Sequence, residues 1–228
     1  DSQATDGLLD LLSNEDASIR QAAVSALNSL ALPQMSKRII PLLHDPDPNV
    51  RESAVKIAGY FGYPETVTDL LELCGDTNER VRCAAIEHLP FVEDDRVLGV
   101  LTRAIKEDAP NVRAAAARAL GNMDSPDATG QLIKALEDDD VWVRYFSARA
   151  LGRRRAVESV AALEKVVSNE EFNHVRIAAL DSLGQIGDER IPEIIGDLVS
   201  DDDPDLAHAA KGAMAAAQGD TGDMGFKE

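Results

Sequence analysis

Val50-Arg51-Glu52-Ser53-Ala54 returns along the chain as Ile19-Arg20-Gln21-Ala22-Ala23, Val81-Arg82-Cys83-Ala84-Ala85, Val112-Arg113-Ala114-Ala115-Ala116, Val143-Arg144-Tyr145-Phe146-Ser147 and Val175-Arg176-Ile177-Ala178-Ala179. A degenerate seventh copy reads Leu206-Ala207-His208-Ala209-Ala210. With the arginine (or Ala207) as anchor, the copies fall at 20, 51, 82, 113, 144, 176 and 207, so successive intervals are 31, 31, 31, 31, 32 and 31. Spacing this regular marks a protein built by repeating one supersecondary unit.

Each unit reads as two helices, A and B. Helix B is expected to start at an N-cap four residues before the anchor, at Asp16, Asp47, Asn78, Asp140 or Asp203, because a short side-chain oxygen there accepts from the first free amides. At 100° per residue, positions −1, +3, +6, +7 and +10 share one arc and are mostly Val, Ile, Leu or Ala, the pattern of an amphipathic helix. Position +2 is small (Ala22, Ser53, Ala84, Ala115, Ala178, Ala209) except at Phe146, which suggests close approach of successive B helices. Gly59, Gly121, Gly152 and Gly184 stand at +8, where either a helix end or a close neighbour is expected. Runs such as Ile39-Ile40-Pro41-Leu42-Leu43 and Val97-Leu98-Gly99-Val100-Leu101 supply helix A.

A lone helix pair cannot bury its own apolar face, so the pairs must stack. The predicted fold is an all-α superhelix, a solenoid of about seven helix-turn-helix repeats of 31–32 residues. The repeats run over residues 5–31, 34–62, 64–91, 94–123, 126–155, 157–187 and 190–217 in a single domain 1–217, with a flexible tail at 218–228. The Asp, Val-Arg, Ala-Ala and Leu-Gly pattern resembles the short HEAT-like repeats first associated with phycobilisome lyases. That resemblance covers almost the whole chain. It implies a HEAT-like superhelix whose B helices line the concave surface, and it says little about function, because such repeats serve many roles.

Composition narrows the partner. With 23 basic and 41 acidic residues the formal charge is −18, which argues against nucleic acid and anionic membranes, since both need a basic footprint. No run approaches the roughly 18–20 apolar residues that span a bilayer. The two cysteines, Cys74 and Cys83, form no CxxC pair and read as free thiols, so with no targeting segment a cytoplasmic protein is expected. The short first helix, with no polar cap before it, suggests a chain that belongs to a longer protein or a larger complex.

The repeated arginine lies in the first turn of helix B, where a cation opposes the helix dipole. Six residues before the anchors stand Asn14, Asp45, Asp76, Glu107, Asp138, Glu170 and Asp201. Acidic residues in step with the arginines predict a structural ladder (Arg20, Arg51, Arg82, Arg113, Arg144, Arg176) bridging neighbouring repeats through bidentate pairs. Catalytic and metal-ligating residues are not expected, and neither is a cofactor. The histidines are scattered, and iron-binding repeat proteins such as deoxyhypusine hydroxylases would need several His-Glu dipeptides, where only the reversed Glu87-His88 occurs. The acidic run Asp138-Asp139-Asp140 fits capping better than calcium.

Function is expected where the repeats differ. On helix B the outward arc comprises −2, +1, +5 and +9, and the fifth repeat fills it with Trp142, Tyr145, Arg149 and Arg153, Trp142 being the only tryptophan. Arg118 and Asn122 in the fourth repeat, Arg80, Glu87 and Phe91 in the third, and His174, Ile177, Asp181 and Gln185 in the sixth extend this candidate partner-binding surface. Trp, Tyr and Arg combine contact area with polar tips and dominate binding hot spots. The sequence therefore predicts a non-enzymatic scaffold or adaptor that grips a protein segment carrying acidic and apolar groups. The alternative, which follows from the resemblance, is a bilin-binding protein or lyase subunit, with Arg118, Arg149 and Arg153 pairing with propionates and Trp142 and Tyr145 stacking on the pigment.

Overall fold

A computed structural model describes residues 2–30 and 35–217; the tail expected at 218–228 lies outside the described residues. Among these the chain holds fourteen α-helices and no strand. The A helices are α1 (Ser2–Asp10), α3 (Met35–Leu43), α5 (Val67–Leu73), α7 (Arg96–Glu107), α9 (Pro126–Ala135), α11 (Val160–Asn169) and α13 (Ile191–Ile195). The B helices are α2 (Ala17–Leu30), α4 (Pro48–Phe61), α6 (Glu79–His88), α8 (Pro110–Leu120), α10 (Val141–Arg153), α12 (Asn173–Ile186) and α14 (Pro204–Ala217). No described helix is long and apolar enough to cross a membrane.

Local chemistry fixes where the B helices start. Asp47 accepts from the amide of Asn49, Asn78 from Arg80, Asp140 from Trp142 and Val143, Asp203 from Asp205 and Leu206, and Asp16 from Ser18. Ala109 and Phe172 offer no capping oxygen at the equivalent position. At α8 a proline at the first helical turn, Pro110, removes one orphan amide instead.

The chain forms two compact units, Asp1–Ala104 and Ile105–Glu228. In the first, α4 packs on α2, α3 and α6, over a core that includes Leu27, Ile39, Leu43, Ile57 and Ile86. In the second, α10 packs on α8, α9 and α12, and α12 on α11 and α14, around Leu120, Leu132, Leu151, Leu163, Leu180 and Leu183. Each fully buried aliphatic side chain removed from water contributes about 1.5–3 kcal/mol before entropy is counted.

The apolar arc of helix B is wider than the sequence pattern suggests. Position +4 is buried in six repeats (Val24, Val55, Ile86, Ala117, Ala148, Leu180), whereas +10 falls at or past the helix end, as with the exposed Leu30. The reason is that helix B meets helix A on one side and further B helices on the others. The glycines at +8 serve these B–B contacts. A Cβ on Gly152 would stand 2.7 Å from the Ser182 backbone, and one on Gly184 2.8 Å from the Ala213 backbone. Gly121 faces Ala150 and Gly59 faces the His88 ring in the same way. Close approach, rather than a helix end, therefore requires them. Ser182 uses the short distance to donate to Ala148 O of the preceding B helix at 2.9 Å.

Candidate functional site

Two sets of arginines occupy different places. The anchor arginines point into the turns between helices A and B. Arg51 donates from Nη1 to the carbonyls of Asp45 and Pro46, while its Nε and Nη2 grip both oxygens of Asp76 in the next repeat at 2.8 and 2.9 Å. Arg113 holds Asp138 at 2.8 and 2.7 Å, and Arg144 holds Glu170 at 2.6 and 2.9 Å. Each of these carboxylates also accepts from the amide two residues on, at Asn78, Asp140 and Phe172 respectively. One acid thus shapes its own turn and ties it to the previous repeat.

Burial opposes ionisation of Asp76, but the Arg51 hydrogen bonds, the Asn78 amide and both nearby arginines outweigh it and hold the carboxyl below its ordinary value. Glu170 is lowered chiefly by Arg144 against its own burial. Arg20 and Arg82 bond the carbonyls of their own turns, at Asn14 and Asp76. Arg176 departs from the pattern: its Nε donates to Val167 O.

The second set lies on the outward face of the B helices in the second unit. Trp142 is 52% exposed at the start of α10. Its ring meets Tyr145 edge-on at 5.7 Å and the imidazole of His174, on α12, at 5.3 Å. Phe146 adjoins both Trp142 and Tyr145, and the Arg118 guanidinium covers its ring at 4.4 Å. Phe172 extends the cluster beyond His174. Arg149 donates to the Tyr145 hydroxyl at 3.0 Å and lies 5.8 Å from that ring, a cation–π arrangement. Arg153 follows one turn on and is exposed. Its pKa is lowered by surrounding protein atoms and then by the like charge of Arg149.

The structure therefore brings Arg118, Trp142, Tyr145, Arg149 and Arg153 onto adjoining helices of one unit. Arg80 and Phe91 belong to the other unit and do not meet each other. Arg80, at the start of α6, donates to Asn49 and pairs with Glu52 at 3.4 Å. Pro90 stands after the end of α6, and Phe91 turns to line a crevice of about 350 Å³ with Tyr63, Pro64 and Val67.

Of the rings in the cluster, Phe172 was missed as a site residue. His174 sits on the outward arc at −2, so the register carried the signal, but Phe172 occupies a capping position where no aromatic is expected. Cys74 is buried, and that burial pushes its thiol up to about 12, well away from nucleophile chemistry.

A family model described as HEAT repeats matches residues 36–110, 75–142, 100–171 and 129–215. The chain belongs to the HEAT-repeat family. Solved structures agree on the fold. A crystal structure of importin beta superposes with a TM-score of 0.72 at 15% identity, over 95% of this chain and 37% of that one. The phycocyanin lyase complex of CpcE and CpcF from Nostoc sp. PCC7120 gives 0.55 at 21% identity, over 95% and 94%. An engineered protein gives 0.55 at 19% identity, over 94% and 68%. At these identities the likeness speaks for architecture alone. No curated protein matches the sequence.

Proposed function

We propose that this chain is a non-enzymatic scaffold that binds a protein partner on the outward face of α10 and its neighbours α8 and α12. The observation that carries this reading is the concentration of rule-breaking in one repeat. At +3 six repeats place Ala and the fifth places Ser147, whose hydroxyl is buried without a hydrogen-bond partner among the described residues. At +2 the others are small and the fifth has Phe146; at −2 the fifth has a half-exposed tryptophan. A stacking unit has no need of these departures. A binding surface does, because a locally inconsistent choice marks a place where function outweighs fold. The ladder arginines, held by carboxylates or carbonyls, are assigned to structure, and the patch residues to recognition.

The test is a Trp142→Ala, Arg149→Glu double variant compared with wild type in affinity capture, after both are shown to melt alike. Loss of a specific captured protein with stability intact is the expected outcome, and crosslinking from the Tyr145 neighbourhood should reach that protein. Retention of every captured protein by the double variant removes the patch as the binding surface. Micromolar quenching of Trp142 by a bilin, with no protein captured, would replace the scaffold reading by pigment binding.

A further inference from the structure

The patch has two chemically distinct ends, and their separation describes the segment that fits it. At one end Trp142 presents a half-exposed ring against His174. At the other, Arg149 and Arg153 stand on the same face of α10, four residues apart, where like charges repel. Elsewhere in the molecule Arg51, Arg113 and Arg144 are gripped bidentately by a carboxylate of the next repeat. Arg149 and Arg153 are not: among the described residues neither takes part in an ion pair, and Arg149 feels Asp181 only through space. In a protein of formal charge −18, which carries carboxylates to spare, a guanidinium pair engaged in no ion pair among the described residues, beside an exposed tryptophan, is a feature with charge complementarity to something outside the chain.

Resting on the scaffold reading, we infer that the Trp142–Arg149–Arg153 face of α10 receives an acidic peptide segment, its large apolar side chain on Trp142 and its carboxylates on the two arginines. The helix rise sets the spacing. Arg149 lies about 10 Å and Arg153 about 16 Å along the axis from Trp142, which an extended segment covers in about three to five residues, with glycine between the contact residues to break the two-residue alternation that would otherwise turn the carboxylates away from the face the aromatic meets. Tyr145, bonded to Arg149, holds that guanidinium in place. Arg118, laid over Phe146, adds a further cation on the neighbouring helix. The recognised pattern is therefore an aromatic or large aliphatic residue followed three and five positions later by Asp or Glu.

Trp142, the only tryptophan, is a built-in reporter. Titration of the full chain with the capped peptide Phe-Gly-Gly-Glu-Gly-Glu should change its fluorescence saturably, and the Phe-Gly-Gly-Lys-Gly-Lys peptide should not. Arg149→Gln and Arg153→Gln should each weaken the glutamate peptide about tenfold, the loss expected for a hydrogen bond to a charged group. Equal binding of the lysine peptide, or unchanged affinity in both variants, overturns the proposal. So does a phosphoserine peptide that binds where the glutamate peptide fails, which would make the occupant a phosphorylated segment. If the glutamate peptide has no effect while the double variant still loses its captured protein, the scaffold reading stands and this assignment falls. If capture is unaffected, the scaffold reading itself falls.

Discussion

Arg155 is the one non-glycine among the described residues with positive φ, at 49°. It stands eleven residues past its anchor, and at that same position the second and sixth repeats carry Gly62 and Gly187, at φ 62° and 71°. A residue with a Cβ in the left-handed region costs about 1–2 kcal/mol, part of which glycine would give back through its freer unfolded chain. Arg155→Gly is accordingly expected to stabilise the protein by about 0.5–1 kcal/mol, a rise in Tm of roughly 1–4 °C, measured by thermal melting. A lower Tm in that variant would mean that the Arg155 side chain makes contacts worth more than the backbone strain. Its neighbour Arg154 shows the opposite use of an arginine at a helix end. It donates to Thr129 Oγ1, to the carbonyls of Leu120 and Ser125 and to Met123, and so stitches the preceding loop. Nothing in the three-arginine string 153–155 distinguishes its half-buried middle member from the exposed ones on either side.

At the scale of the helix pair, the joint between repeats is a proton-linked device. Glu170 has its carboxyl held below the ordinary 4.5 chiefly by Arg144, and Asp76 is held below 3.8 once the Arg51 bonds overcome its burial. Since the folded values are the lower ones, the stability these joints contribute is complete above the unfolded values and is lost as pH falls through the folded values. Denaturant unfolding between pH 7 and pH 3 should show this decline. Glu170→Gln should be less stable than wild type at pH 7 by about 1.5–3 kcal/mol, and the two should converge towards pH 3. A gap that stays constant with pH would show that the glutamate acts through packing and not through its charge. Repeat length, helix pairing, caps and the small residues at +2 were all legible in the sequence because each recurs, and recurrence separates constraint from accident. The burial of +4 was not legible. It depends on how many helices surround helix B, which a single helix's periodicity does not report. The departure of Arg176 to Val167 O was equally hidden, since its sequence context matches that of Arg144.

For the whole molecule, charge and patch act in opposite directions on the proposed acidic segment. The cluster of Trp142, Tyr145 and Arg149 was readable because these residues break a repeat at outward positions. Its extension by Phe172, at the cap of the next helix, depended on stacking geometry. The formal charge of −18 repels an acidic segment at long range, whereas Arg149 and Arg153 attract it on contact. The Debye length falls from about 30 Å at 0.01 M salt to about 8 Å at 0.15 M. At the lowest ionic strength the repulsion therefore extends across the molecule, and near 0.15 M only the charges lining the site still act. Affinity for the Phe-Gly-Gly-Glu-Gly-Glu peptide should rise between 0.01 and about 0.1 M NaCl and fall again towards 1 M, where even the contact pairs are screened. Trp142 fluorescence titrations across that range measure it directly. A steady fall from the lowest salt upward would mean that the local guanidinium field governs approach at every distance. A flat profile would mean that the segment is held by its apolar residue alone, and that the arginines take no part.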